Sequence, residues 1–316
     1  MTAIREPGKI NPDTTLIDIG MEEIRGMTAV YLIRGERTCL IDGGTRQQAR
    51  RLVQLLSDLN AFPPDVIIPT HAHWEHAQGI PWLRREAARR GKKIEVLASR
   101  DAIPLLTDAT FNTVFDRGPY ESIQDVTPLK EGDTVNLGGI TLRIYDVPGH
   151  CRGHIAVLDE KNHTLFIGDA IGMKLTDDIS LPPFMPPTWD AVAFQASVER
   201  VRQIPYQALC LAHFGCIGGS EARSILDEAV ATWHTWWQFF ERHADELSDT
   251  NALLRDMRRE IPPGIPPIRP LSAGLRLLLG LISAIGTITG TRTALIDKLA
   301  YGDAVRWLAS SYASAR

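Results

Sequence analysis

The sequence predicts a layered α/β fold over residues 1–218 and a helical region over residues 219–316. Two observations support the α/β part: strands and helices alternate over the first hundred residues, and strands return between residues 133 and 212. A third observation supports the helical part, because long helical patterns separated by a proline-rich stretch follow residue 218. A chain of 316 residues can form one such core with an appendage.

The predicted elements of the first half are short apolar strands and amphipathic helices. In chain order they are strands at 14–19, 29–34 and 38–42, a helix from Thr45 to Leu59, a strand at 65–69, a helix at about 79–91 and a strand at 93–97. The turn at 35–37 indicates a hairpin. Thr45 is the predicted cap of the first helix.

The second half has the same order, with strands first and a helix after. Its predicted strands are at 134–137, 140–147, 154–158, 164–167 and 208–212, with a helix at about 188–203. Beyond residue 218 we expect a helix from Ser220 to about Leu247. Five prolines in residues 261–270 then predict an extended connector, and residues 272–310 are again helical in pattern.

The most informative stretch is Thr70-His-Ala-His-Trp-Glu-His-Ala-Gln-Gly79, which directly follows a predicted apolar strand. It places three imidazoles and one carboxylate within six residues. These groups are ligands for zinc, iron and manganese. A loop at a strand end can direct His71 and His73 to one centre, and Glu75 and His76 to a second.

Further ligands are expected elsewhere in the chain, because one metal ion needs three or four protein ligands. The candidates are His150 in Pro148-Gly-His150, Asp169 in Gly168-Asp169, and His213 in Leu211-Ala-His213. Each follows a predicted strand, and loops after strands converge at one edge of a sheet.

The order of these motifs resembles the metallo-β-lactamase superfamily over about residues 14–218. His71-Ala-His-Trp-Glu-His76 is similar to the family's His-x-His-x-Asp-His signature, and the three later motifs follow in the family's order. The hairpin that ends in Leu40-Ile-Asp-Gly-Gly44 also matches. The resemblance implies an αββα sandwich, in which two mixed β-sheets flanked by helices hold the metal site at one edge.

The resemblance also implies which residue binds which ion. His71, His73 and His150 would hold the first ion, Glu75, His76 and His213 the second, and Asp169 would bridge them. The implied cofactors are two divalent ions, with Zn²⁺ preferred and iron or manganese as alternatives. An aspartate where some zinc β-lactamases have cysteine resembles the glyoxalase II, lactonase and phosphodiesterase side of the superfamily.

Glu75 departs from the family pattern, which usually has aspartate at this position. The additional methylene extends the carboxylate by roughly 1.5 Å, whereas metal–oxygen bonds tolerate errors of about 0.2 Å. Either the backbone adjusts or the second site is altered. From the sequence we expect the second ion to be the more labile, and Glu75→Asp to raise its occupancy.

Three neighbours of the expected ligands are assigned supporting roles. His154 is expected to support the ligands by hydrogen bonding. Cys151 is expected to fill space beside His150, and Trp74 is expected to pack.

Aromatic residues crowd the predicted helix after residue 219, and Trp233, Trp236, Trp237 and Phe240 share one face of it. This face either packs on the core or a second subunit, or forms the wall of an apolar substrate pocket. For the pocket, the predicted substrate-binding residues are Phe184, Trp189, Trp233 and Trp237. For the packing alternative, we expect a homodimer formed through the C-terminal helices.

Composition restricts the partners and the cellular setting. Lys and Arg number 34 against 38 Asp and Glu, which gives no basic track for a nucleic acid. Four cysteines and no apolar N-terminal signal predict a cytoplasmic protein. The apolar run Leu277–Thr289 is shorter than the roughly 20 residues of a membrane span. Burial in a dimer and interfacial membrane contact are the alternatives for the stretch from Leu275 to Ile288.

The predicted function is a dinuclear metallo-hydrolase that cleaves a thioester, lactone or ester in a small molecule with an apolar or acyl part. A hydroxide between the ions would attack, the ions would hold the oxyanion, and Glu75 and Asp169 are the predicted catalytic residues. The alternatives are a phosphodiesterase or nuclease, an iron-dependent persulfide dioxygenase, and a regulatory binding protein. The sequence contains no Walker A, Gly-x-Ser-x-Gly or His-Glu-x-x-His pattern.

Overall fold

Two mixed β-sheets with helices on their outer faces form the main body of the protein. The computed structural model describes residues 6–21, 26–116, 118–174, 180–213, 215–261 and 296–315. Within these residues the predicted αββα sandwich with C-terminal helices is confirmed.

The first sheet has seven strands that neighbour one another in sequence order. They are β1 (Gly8–Lys9), β2 (Thr14–Asp18), β3 (Ala29–Arg34), β4 (Thr38–Ile41), β5 (Val66–Ile68), β6 (Glu95–Ser99) and β7 (Val126–Leu129). Strands β1 to β4 pair antiparallel, and β4 to β7 pair parallel. Because parallel strands end at the same edge, the loop after β5 lies beside the loop after β4.

The second sheet has six strands in the order β15-β14-β11-β10-β9-β8. They are β8 (Thr134–Asn136), β9 (Thr141–Asp146), β10 (Ile155–Asp159), β11 (Thr164–Gly168), β14 (Ala208–Leu211) and β15 (Gly215–Gly218). Only the β11–β14 pair is parallel among these six strands. Strands β12 (Met173–Lys174) and β13 (Ser180–Leu181) pair separately.

The two sheets pack face to face through alternate side chains of their strands. Tyr31 and Ile33 of the first sheet share a buried cluster with Ile144 and Phe166 of the second. The rings of Tyr31 and Phe166 lie 5.2 Å apart. The Tyr31 hydroxyl donates to the carbonyl of Leu211, so a hydrogen bond also joins the two sheets.

Helices bury the outer face of each sheet. Those before residue 190 are α1 (Ala49–Asp58), α2 (Trp74–Ala77), α3 (Ile80–Arg89) and α4 (Ile103–Thr107). Those after it are α5 (Ala191–Gln203), α6 (Glu221–Arg242), α7 (Thr250–Glu260) and α8 (Ile296–Ala315). None of the described helices has the length and apolar character required to cross a bilayer.

The helices beyond residue 218 contribute to the core of the sandwich. Phe240 of α6, Leu253 of α7 and Leu308 of α8 are buried in the same hydrophobic cluster as Phe194 of α5. The domain boundary at residue 218 stays a prediction.

Several predicted boundaries differ from the structure. The first helix begins at Ala49 rather than Thr45, because the Thr45 hydroxyl accepts the amide of Gln48 in a turn that precedes the helix. The long helix after residue 219 ends at Arg242, before the 3-10 helix Ala244–Glu246. The proline-rich stretch and the apolar run at 277–289 lie outside the described residues.

No element was predicted between residues 100 and 132, where the structure has α4, the 3-10 helix Phe111–Phe115 and β7. Pro128 within β7 argues against a central strand. It is accommodated because β7 lies at the edge of the first sheet.

Candidate metal centre

Three buried histidines lie together at one edge of the sandwich. His71 and His73 follow β5, and His150 follows β9. Their ligand nitrogens lie within 4.8 Å of one another, and His150 Nε2 is 3.1 Å from His73 Nδ1. His150 Nδ1 lies 2.6 Å from the carbonyl of Pro183, so in a neutral ring this nitrogen donates and Nε2 presents a lone pair. We call these residues the first group.

A second group consists of Glu75, His76, Asp169 and His213, all buried. The first two lie in α2, Asp169 follows β11 and His213 follows β14. Asp169 Oδ2 lies 3.3 Å from His76 Nε2 and 3.4 Å from His213 Nε2. Glu75 Oε1 lies 3.9 Å from His76 Nε2. The helical turn of α2 therefore directs the longer glutamate side chain into the group.

Asp169 faces both groups. Besides its contacts in the second group, its Oδ2 lies 3.9 Å from Nε2 of His150 in the first. The side chain is fully buried, and neither carboxylate oxygen accepts a hydrogen bond within the described part of the chain. The carboxylate is thus available to a cation on either side.

Asp42 hydrogen-bonds to a member of the second group. The sequence prediction did not include it among the site residues. Its Oδ2 accepts a hydrogen bond from His76 Nδ1 at 2.9 Å. Its Oδ1 accepts the amide and hydroxyl of Thr70 at 2.7 and 2.9 Å. The signal in the sequence was a carboxylate directly after an apolar strand, in the motif Ile41-Asp-Gly-Gly44.

His154 lies behind the site and makes the kind of hydrogen bond expected of it. Its Nε2 accepts the amide of Asp169 at 3.2 Å. Trp74 is buried, as expected of a packing residue. Cys151 is fully buried, and burial raises the pKa of its thiol to about 12, which is consistent with a side chain that fills space beside His150.

The histidines of the first group favour the neutral form. Burial, together with the neighbouring imidazoles, holds the pKa of His71 and His73 well below the ordinary value. Burial also lowers the pKa of His150 to about 4, against the opposing effect of Asp169. Neutral imidazole is the form that binds a metal ion.

The second group combines negative and positive charge. Burial disfavours the charged form of His76, but Asp42 and Asp169 outweigh burial and raise its pKa well above the ordinary value. Asp169 likewise outweighs burial at His213 and raises its pKa. Burial raises the pKa of Glu75. Although burial acts to raise the pKa of Asp169, His213 and His76 hold it well below its usual range.

The donor sets of both groups fit a divalent cation. Zinc–nitrogen and zinc–oxygen bonds of about 2.0–2.2 Å in tetrahedral geometry put two ligands about 3.3 Å apart. The separations of 3.1, 3.3 and 3.4 Å given above match this value. Several buried atoms that point into the groups have no hydrogen-bond partner among the described residues: Nε2 of His71, His76 and His213, Oε2 of Glu75 and both oxygens of Asp169. Such atoms are unfavourable unless a cation satisfies them.

The four aromatic residues predicted to bind substrate form a cluster behind His150. Phe184 and Trp233 are only 0% and 5% exposed, whereas Trp189 and Trp237 are partly exposed. The Phe184 ring lies 5.8 Å from that of Trp189 and 5.6 Å from that of Trp237. Phe184 directly follows Pro183, whose carbonyl lies 2.6 Å from His150 Nδ1. Contact with substrate stays a prediction.

Two phenylalanines that the sequence prediction missed touch the first group directly. Phe111 stacks on His73 with ring centroids 6.0 Å apart, and Phe115 meets the same ring at its edge at 5.0 Å. Phe115 in turn contacts Trp307 of α8 at 5.2 Å. No pattern in the sequence marks the short 3-10 helix that carries both phenylalanines. The wall of the site on this side is therefore apolar and includes the C-terminal helix.

Comparison with known proteins identifies the relatives of this chain. The model of the metallo-beta-lactamase superfamily matches residues 24–213. The acyl-coenzyme A thioesterase MBLAC2 of Bos taurus is 29% identical over an alignment of 164 residues, and the match covers 45% of this chain and 57% of that protein. A hydroxyacylglutathione hydrolase of Methylobacterium sp. (strain 4-46) is 27% identical over 125 residues, 39% of this chain and 40% of that protein. The chain thus spans about half the length of these relatives.

A solved structure shares the fold. It is a B3 metallo-β-lactamase with an active-site glutamic acid, which superposes with a TM-score of 0.57 at 21% sequence identity. The match covers 72% of this chain and 88% of the other. At this level of identity the likeness concerns the fold alone.

Proposed function

The chain belongs to the metallo-β-lactamase superfamily, and on this premise we propose that it is a metal-dependent hydrolase that cleaves small-molecule thioesters. The observation that carries the proposal is the convergence of seven buried ligand side chains in two adjoining groups. Relatives that act on acyl-coenzyme A and hydroxyacylglutathione support the choice of a thioester.

The proposed centre holds two ions. His71, His73 and His150 would hold one, Glu75, His76 and His213 would hold the other, and Asp169 faces both groups. Imidazole and carboxylate ligands suit zinc, and they also accept iron or manganese. When bound, the ions polarise the carbonyl group and lower the pKa of water toward neutrality.

The surrounding residues favour a substrate with a good leaving group. Among the described titratable residues at the site, Asp42 is held by Thr70 and His76, and His154 is held by the Asp169 amide. In the described part of the chain, Oε2 of Glu75 has no hydrogen-bond partner, and Glu75 is the group proposed to move a proton. A thiol with a pKa of about 8.5 leaves without a strong general acid. An alcohol or amine would need one.

The proposed wall of the substrate site is apolar. Phe115 lies between His73 and Trp307, which suits the hydrocarbon part of an acyl group. Of the four sequence-predicted aromatic residues, Trp189 and Trp237 are partly exposed, so contact with a substrate would not require them to leave the core.

The test is turnover by the full-length protein loaded with Zn²⁺, Mn²⁺ or Fe²⁺. The substrates are an acyl-coenzyme A, an acyl-glutathione, a lactone and a phosphodiester. We expect a thioester to be cleaved fastest, and Glu75→Gln to lower the rate by about 10²–10⁴-fold. The control Glu86→Gln, on α3, should leave the rate unchanged.

Failure to cleave either thioester with any of the three metals would reject the proposal. Phosphodiester cleavage, or oxygen consumption by an iron-only centre, would favour the two enzymatic alternatives instead.

A further inference from the structure

His154 touches both halves of the metal centre without belonging to either group. Its ring lies 4.5 Å from that of His71 and within 20° of parallel. Its Nε2 accepts the amide of Asp169 at 3.2 Å. One fully buried side chain thus contacts a member of the first group and the backbone of the carboxylate that faces both groups.

The direction of this hydrogen bond fixes the tautomer of His154. Because an amide N–H only donates, Nε2 must be unprotonated, and the neutral ring carries its proton on Nδ1. His154 Nδ1 is buried and has no hydrogen-bond partner within the described residues. An unsatisfied buried nitrogen is unfavourable, so packing alone would favour an apolar ring. The amide of Asp169 supplies the reason for a histidine here.

The backbone at Gly168 packs closely against the ring of His154. A Cβ atom at Gly168 would lie 2.9 Å from His154 Nε2 and 2.7 Å from Thr70 Oγ1. The backbone φ of Gly168 is +54°, in the left-handed region. The position of the His154 ring and the path of the chain into Asp169 are therefore coupled.

We propose that His154 is a positioning residue that holds Asp169 between the two groups and thereby sets the affinity for the second ion. The inference rests on the two-ion centre of the proposed function. Without the acceptor, the Asp169 amide is left unpaired, and the carboxylate can leave its contacts with His76 and His213. Partners of this kind typically contribute 10–100-fold to metal affinity.

Two variants separate the hydrogen bond from the packing of the ring. His154→Phe keeps a ring against His71 but removes the acceptor. His154→Gln keeps an acceptor oxygen at a similar reach but removes the ring. His234→Phe is the control for the substitution itself, because His234 is exposed and belongs to neither group.

The experiment titrates chelator-stripped, full-length protein with Mn²⁺ and follows it by electron paramagnetic resonance, which counts bound ions and detects coupling between two of them. We expect wild type and His234→Phe to bind two coupled ions. His154→Phe should keep the first ion and lose about 10–100-fold in affinity for the second. His154→Gln should recover most of that loss.

Four results would overturn the inference. If His154→Phe binds both ions as wild type does, or if His154→Gln is the weaker of the two, ring packing is what matters. If nitrogen NMR of the wild type shows a protonated His154 Nε2, the hydrogen bond is absent, and this measurement needs no variant to fold. A wild type that binds only one ion would instead overturn the two-ion centre, and the inference with it.

Discussion

Replacing Glu75 by aspartate tests whether the second group requires the length of the glutamate side chain. Aspartate withdraws the carboxylate by roughly 1.5 Å. Glu75 Oε1 already lies 3.9 Å from His76 Nε2, beyond the roughly 3.3 Å expected between two ligands of one tetrahedral ion. The shorter side chain would therefore stand too far away to bind the ion held by His76 and His213.

We expect Glu75→Asp to lower the affinity for the second ion by at least about 100-fold, since outer partners of ligands already contribute 10–100-fold. That loss corresponds to about 2.7 kcal/mol. This expectation reverses the one drawn from the sequence, which assumed that the glutamate was too long for its site. The contacts of α2 show that the backbone positions the longer side chain within the group.

The assay is competition of the protein with a chelator for Co²⁺ or Zn²⁺, which resolves the two affinities. Glu75→Gln keeps the reach and loses the charge, so comparison with Glu75→Asp separates the two contributions. A Glu75→Asp variant that binds the second ion as tightly as wild type, or more tightly, would refute the reasoning from reach.

Three further predictions concern proton competition, support of the ligands and the core. As the pH falls, the second ion should leave before the first. The pKa values of His76 and His213 are raised, so protons compete for these two ligands at a higher pH than for the histidines of the first group. Metal analysis after dialysis across a pH series checks the order. Asp42→Asn should lower the affinity for the second ion by about 10–100-fold, because an amide replaces the carboxylate that accepts a hydrogen bond from His76. An unchanged chelator competition curve would contradict this. Phe240→Ala should lower the free energy of unfolding by about 3–5 kcal/mol, because Phe240 is fully buried. Urea denaturation measures this free energy, and the control Val192→Ala, at an exposed position, should change it by less than about 0.5 kcal/mol.

The metal-binding motifs could be found from the sequence because ligand spacing is local. His71, His73, Glu75 and His76 lie in one loop and turn, so the strand before them was enough to predict that they converge. The layered α/β class followed from the alternation of strands and helices, and the αββα sandwich followed from the family resemblance that the order of the motifs carries.

Residues whose roles depend on tertiary contacts could not be found in this way. Asp42 is 28 residues from Thr70, and only the pairing of β4 with β5 brings them together. Phe111 and Phe115 reach His73 through an irregular segment that has no periodic pattern. The sequence likewise could not show that Phe184 is fully buried among other aromatic side chains.

The central claim is that two metal ions in these groups drive thioester cleavage. The most direct measurement combines metal content per chain with acyl-coenzyme A turnover before chelation, after chelation and after the metal is restored. We predict two ions per chain, loss of turnover on chelation and its return with the metal. Turnover that survives complete removal of metal would contradict the claim.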